Sequence, residues 1–221
     1  MVRMLLIRHA ATAWTAQGRF QGQTDVPLSP HGRRQVAVLT QRLRAETLHT
    51  LYASDLQRAW ETARAIAMRH ALPVHAEPRL REMAFGYWEG LTYDEIQQQD
   101  AERLATWERD QLHSAPPGGE TLLQMTQRVR EVYASLRAAE PDKTVGLVAH
   151  GGSLQLLLCL ALGLQPQSYW QFAVSPASLS ELCVYEQGAI LTRLNDTHHL
   201  STLSPCETGE RREKCRLDMK Q

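Results

Sequence analysis

Apolar positions 4–7, Met-Leu-Leu-Ile, run without a polar break and stop at Arg8-His9. A compact run of that kind, followed by small and hydroxyl residues, predicts a buried strand over 2–7 that leaves the core abruptly. From 15 to 29 the chain carries Gly18, Gly22, Asp25 and Pro27, the punctuation of a loop. Ser29 then suits an N-cap and Pro30 a first helical position, with Val36, Leu39 and Leu43 following at helical spacing.

A short strand at 51–53 leads into a helix whose apolar stripe is Leu56, Ala59, Trp60, Ala63 and Ala67. Ser54 and Gln57 have capping-box spacing at its start. Arg58 falls off the stripe, in the first turn past the strand. A brief strand at 74–76 lies between Pro73 and Pro78, 81–90 reads as a Gly-punctuated loop, and 93–112 as a polar helix. After the breaker at 114–120, Leu122, Met125, Val129, Val132 and Leu136 share one helical face. A strand at 144–149, His150, two glycines and a helix repeat the pattern of the opening. Strands at 180–185 and 189–194 flank Gln187-Gly188 as a hairpin, and from Ser201 the chain turns polar and charged.

Strands alternating with helices predict an α/β fold: a single-domain three-layer α/β/α sandwich on a mostly parallel, doubly wound sheet. The domain is expected over residues 1–200, with a polar, mobile tail over 201–221.

Composition narrows the classes. Lys+Arg and Asp+Glu balance at 24 each, so no bulk charge calls for nucleic acid or a membrane surface as partner. The apolar stretch at 156–164 is about half a membrane span, and the N-terminal run lacks the features of a signal peptide. The four cysteines, Cys159, Cys183, Cys206 and Cys215, contain no C-x-x-C pair, which points to reduced thiols and a cytoplasmic location. The oligomeric state is open between monomer and homodimer.

Ligands of open α/β sheets bind beyond the carboxyl ends of the strands. Arg8-His9, Arg58 and His150 all fall at such ends or one turn beyond, and Gly151-Gly152 begins a helix whose free N–H groups favour an anion. By itself, Arg-His at a strand end is a polar exit to solvent, and an arginine on a helix is by default solvated. Together they form a pocket for a compact, multiply charged anion, and phosphate is the obvious one.

"RHAAT" at 8–12, "SDLQRAWETA" at 54–63, "REMAFGYWEG" at 81–90, "PPGGET" at 116–121 and "VAHGG" at 148–152 resemble the ordered motifs of the histidine phosphatase superfamily. That family includes cofactor-dependent phosphoglycerate mutase and α-ribazole phosphatase; the resemblance covers residues 2–200 and is closest to the α-ribazole and broad phosphatase branch. It implies a phosphomonoesterase that needs no metal or other cofactor and takes a small phosphorylated metabolite, α-ribazole phosphate or a related ester. A 2,3-bisphosphoglycerate-dependent mutase is the alternative.

The resemblance assigns His9 as nucleophile, forming a phosphohistidine. An imidazole attacks phosphorus only when neutral, and flanking Arg8 and Arg58 push its pKa down. Arg8, Arg58 and His150 would clamp the non-bridging oxygens, with Thr15, Gln21, Gly22 and Gly151 also at the phosphate. Glu82 stands where the family keeps its proton donor and follows Leu80-Arg81 as the family pattern does; Glu89, in the same loop, is the alternative acid. Phe85, Tyr87 and Trp88 are candidates to line a site for a bulky or apolar leaving group, and no Lys or Arg separates Glu82 from Arg103 to receive a carboxylate.

The chain departs from the family at Ala10 (usually Gly), Ala11 (usually acidic, read as a loss at the pocket rim) and Thr15 (usually Asn). His198-His199 are read as structural, and His31, His49, His70, His75 and His113 as surface residues.

Overall fold

In the computed structural model, which describes residues 1–203, the opening apolar run forms strand β1 (Val2–Arg8) inside a six-stranded sheet. The sheet order is β3-β2-β4-β1-β5-β6, with β2 Thr50–Ala53, β3 Val74–Ala76, β4 Thr144–Ala149, β5 Leu179–Tyr185 and β6 Gly188–Asp196. Strands β1 to β4 are mutually parallel; β5 runs antiparallel to β1, and β6 antiparallel to β5.

Successive side chains of β1 point to opposite faces, and each face is covered by helices. Met4 and Leu6 pack with Val145, Leu147 and helices α6 (Leu122–Ala139) and α7 (Gly151–Ala161). Leu5 and Ile7 pack with α2 (Pro30–Leu43) and α3 (Gln57–His70). This is the expected three-layer sandwich. Residues such as Leu5, Ile7, Val145 and Leu147 are buried, so the inner strands read as continuous apolar runs rather than alternating ones.

A short helix, α1 (Ala13–Ala16), follows β1. The expected polar helix at 93–112 is two helices, α4 (Tyr93–Gln99) and α5 (Ala101–Arg109), broken at Asp100. Asp100 accepts the indole N–H of Trp88 at 2.9 Å, and Trp88, Ile96, Leu104 and Trp107 form a small core of their own. Trp88 is therefore core packing for the cap that α4 and α5 form, and buried there it is not available to line a leaving-group site. Phe85 packs edge-on against Phe20, while Tyr87 is exposed.

Other expectations change in detail. The capping box at Ser54 and Gln57 does not form: the N-cap of α3 is Leu56, without a side-chain cap. Trp60 is half-buried rather than core, and Arg58, off the apolar stripe, is fully buried. Ala11 is buried, its carbonyl accepting from the Ser29 N–H at 3.0 Å and Oγ at 3.1 Å, so it is not at a rim. His49, His75 and His113 are exposed, but His31 and His70 are half-buried. A 3-10 turn spans His198–Thr202, and the expected tail from 204 to 221, with Cys206 and Cys215, lies outside the described residues. Among the described residues, no helix is long and apolar enough to cross a membrane.

Candidate active site

The sheet order makes β2, β4 and β1 neighbours, and their carboxyl ends deliver the basic side chains to one place. The His9 N–H donates to Ala149 O at 2.9 Å, pinning the end of β1 to that of β4 just before His150. The two imidazoles lie with centroids 5.0 Å apart. Arg58 enters from the first turn of α3, beyond β2, and its Nε–H donates to His150 Nδ1 at 3.2 Å.

His9 is buried, with Nδ1 2.7 Å from Ala10 O. A carbonyl only accepts, so Nδ1 carries the proton and Nε2 keeps its lone pair. Burial first, then the charges of Arg58 and Arg8, hold His9 well below its ordinary 6.5. The sequence supplies the arginines as a cause; burial, the larger one, belongs to the fold.

His150 is held low in the same way, by burial and then Arg58. Its Nδ1 accepts from Arg58, so its Nε2–H faces Ser54 Oγ at 2.8 Å. Both ring nitrogens are engaged by protein, and His150 reaches a phosphate oxygen only by giving up one of these bonds. Here it orients Arg58.

The Arg58 guanidinium also donates to Gly22 O at 2.7 Å and Thr24 O at 2.8 Å. Burial pushes its pKa down to about 10, against the pull of Glu82 and Asp25. Arg8 Nη1 donates to Val174 O at 2.6 Å, while its buried Nε has no acceptor among the described residues. The Gly151 N–H begins α7 and has no acceptor within the helix. An unpaired buried cationic N–H and a helix start whose Gly151 N–H has no helical acceptor are what an incoming oxyanion requires.

Glu82 and Glu89 occupy different environments. Glu89 Oε1 accepts from the Gln23 and Phe85 N–H groups, both at 3.0 Å; Oε2 accepts the Thr24 N–H at 2.8 Å and its hydroxyl. It is a tie for the 22–24 turn. Gly22 has φ +51°, and a Cβ there would sit 2.0 Å from Glu89 Oε1, so this approach needs glycine. Glu82 accepts the Gly152 N–H at 3.1 Å and its own neighbour Met83 N–H at 3.0 Å, which leaves its carboxylate at the N-terminus of α7.

Thr15 turns away from the pocket. Its Oγ1 accepts from the Thr12 N–H at 2.6 Å and closes a capping box with Thr12. Gln21 Oε1 in turn accepts from Thr12 Oγ1 at 2.8 Å. Thr12, Thr15 and Gln21 thus shape the loop, and Thr15 spends its hydroxyl on the backbone. Sequence reasoning missed Ser54, visible only as a cap candidate, and Arg128, which sits in no motif. Among the described residues, no group of three or more His, Cys, Asp or Glu is placed to hold a metal.

A family model described as the histidine phosphatase superfamily (branch 1) matches residues 4–197. The chain belongs to that superfamily. This histidine phosphatase is 32% identical over 200 residues to phosphoserine phosphatase 1 of Hydrogenobacter thermophilus, spanning 90% of this chain and 95% of the relative. It is 30% identical over 209 residues to the Yersinia enterocolitica protein named "Probable phosphoglycerate mutase GpmB", spanning 90% and 95%. The crystal structure of the α-ribazole phosphatase from Shigella flexneri superposes with a TM-score of 0.82 at 33% identity, covering 88% of this chain and 96% of that one. The enzyme is a phosphatase of this superfamily.

Proposed function

We propose that this phosphatase hydrolyses a small phosphomonoester through a phosphohistidine at His9, without a metal. The observation that carries the reading is the His9 imidazole: Nδ1 tied to Ala10 O, the ring neutral, and Nε2 left as the nucleophile among two buried arginines. The Nε2 lone pair attacks phosphorus, the P–O ester bond breaks, and Glu82 gives its proton to the departing alkoxide. Water then attacks the phosphorylated imidazole, Glu82 takes the water's proton, and the P–N electrons return to Nε2. The sum is ester plus water to alcohol plus phosphate.

The unpaired N–H of Arg8, the Arg58 guanidinium and the helix N-terminus stabilise the transferring oxygens. Donors of this kind are worth about 10²–10³ in rate each. Arg19, Arg81 and Arg103 are paired with Glu95, Asp55 and Asp100. With no Lys or Arg between Glu82 and Arg103 to receive a carboxylate, esters such as α-ribazole phosphate are favoured over phosphoglycerate.

Hydrolysis of p-nitrophenyl phosphate in EDTA, with an acid-labile ³²P label trapped on the wild type and absent from His9→Ala, tests the reading. A metal requirement, or turnover without label, overturns it. Isomerisation of phosphoglycerate dependent on 2,3-bisphosphoglycerate, in place of hydrolysis, identifies the mutase instead.

A further inference from the structure

Glu82 lies in an irregular stretch, its carboxylate met by the Gly152 and Met83 N–H groups and its carbonyl by Gln23 Nε2 at 3.3 Å. A proton donor must be held within a fraction of an ångström of its target. What fixes it comes from across the fold. Arg128, on α6, donates through Nη1 to Arg79 O and Arg81 O, both at 2.7 Å, and through Nη2 to Glu82 O at 3.0 Å. Its Nε and Nη2 also form a forked pair with Glu120, at 3.1 and 2.6 Å. All five guanidinium N–H groups are thereby used.

Glu120 completes the clamp. Its Oε1 accepts the Ala84 N–H at 2.9 Å, and its own N–H donates to Ala84 O at 2.9 Å. The preceding Gly119 lies so close that a Cβ there would stand 2.3 Å from Ala84 O. The Pro-Pro-Gly-Gly-Glu breaker thus lies along the segment that carries Glu82. Both partners of the pair are mostly buried, with side chains 17% and 15% exposed. Four backbone groups of residues 79–84, three carbonyls and one N–H, meet this single ion pair, and Ala84 O meets the Glu120 backbone N–H.

We propose that Arg128, held by Glu120, is a positioning residue that fixes the 79–84 segment so that the Glu82 carboxyl stands over the leaving oxygen. This rests on the assignment of Glu82 as proton donor. Lysine offers a point charge and cannot make the fork or bridge several carbonyls at once.

The readout is the ratio of kcat/KM for p-nitrophenyl phosphate to kcat/KM for a simple alkyl phosphate. A phenolate departs with little help, whereas an alkoxide needs the proton, and kcat/KM reports only the step that releases it. Glu82→Gln should raise this ratio by about tenfold or more. Arg128→Lys and Glu120→Gln should each raise it about tenfold, since small misplacement of a catalytic group is costly. The double variant E82Q/R128K should show the ratio of E82Q alone, because both changes act on one proton transfer.

If E82Q raises the ratio while R128K and E120Q slow both substrates in proportion, the positioning role falls and the acid assignment survives. If E82Q leaves the ratio at the wild-type value, the acid assignment falls, and the inference with it. Ratios that multiply in the double variant also overturn the positioning role. The ratio is internal to each preparation, so partial loss of folded protein does not disturb it, and E120Q supplies the test if R128K does not fold.

Discussion

Nδ1 of His9 lies 2.7 Å from the carbonyl oxygen of its own neighbour, Ala10. That contact fixes which nitrogen holds the proton, and so leaves the lone pair on Nε2. It is local in sequence, yet it forms only because β1 ends there and the chain turns under α2 and α3. Removing the ring should remove the chemistry: His9→Ala is expected to lower kcat by about 10³-fold or more, measured on p-nitrophenyl phosphate, with folding checked by circular dichroism.

The two buried histidines make stability depend on pH. Both are held well below the ordinary 6.5 in the folded protein. As pH falls below that value, the unfolded chain takes up their protons and the folded chain does not. Stability is full above about pH 6.5 and declines in acid by roughly 1 kcal/mol per pH unit for each histidine, until the folded pKa values are reached. Urea unfolding of the wild type and of a His9→Gln/His150→Asn variant between pH 5 and 7.5 measures this; equal slopes for the two would refute it.

Arg58 is fully buried and bridges His150, Gly22 and Thr24. Arg58→Lys keeps a charge but cannot reproduce three divergent N–H bonds. kcat/KM is expected to fall about 10²–10³-fold, with inhibition by vanadate weakened in parallel.

Glu89 is expected to act through the 22–24 turn. Glu89→Gln puts an amide N–H against donors that now meet carboxylate oxygens. The cost is about 1–3 kcal/mol of stability, read as a lower Tm, with weaker inhibition by inorganic phosphate. Its aryl-to-alkyl ratio should stay where the wild type has it, unlike that of E82Q.

Trp88→Ala empties the cap's small core beside Trp107 and Ile96. A loss of about 3–5 kcal/mol is expected, visible in thermal unfolding, and any fall in activity should be shared by all substrates. Tyr87→Ala, at an 83% exposed position, should leave Tm unchanged. A selective effect of Trp88→Ala on bulky substrates would contradict this.

The layer architecture was legible because β1, β4, α2 and α6 carry apolar patterns strong enough to name their own partners. The hairpin of β5 and β6 was legible for the same reason. Arg8, His9, Arg58 and His150 were legible too, since strand ends in a parallel sheet share one side. The break at Asp100 was not: it depends on a bond to Trp88, which is close in space only once the cap has folded. Nor could local periodicity show that Thr15 turns back on Thr12 rather than toward the pocket.

The sequence by itself determined the sheet, its covering helices and the set of cationic groups available for phosphate, because these follow from hydrophobic period and strand polarity. The tertiary structure decided the rest. Burial outranks both arginines in lowering His9, and two glutamates seven residues apart receive different environments, one closed off by four donors and one set at the start of α7. Solvent exclusion and hydrogen-bond partners are properties of what arrives from distant parts of the chain, and no window of neighbouring residues contains them.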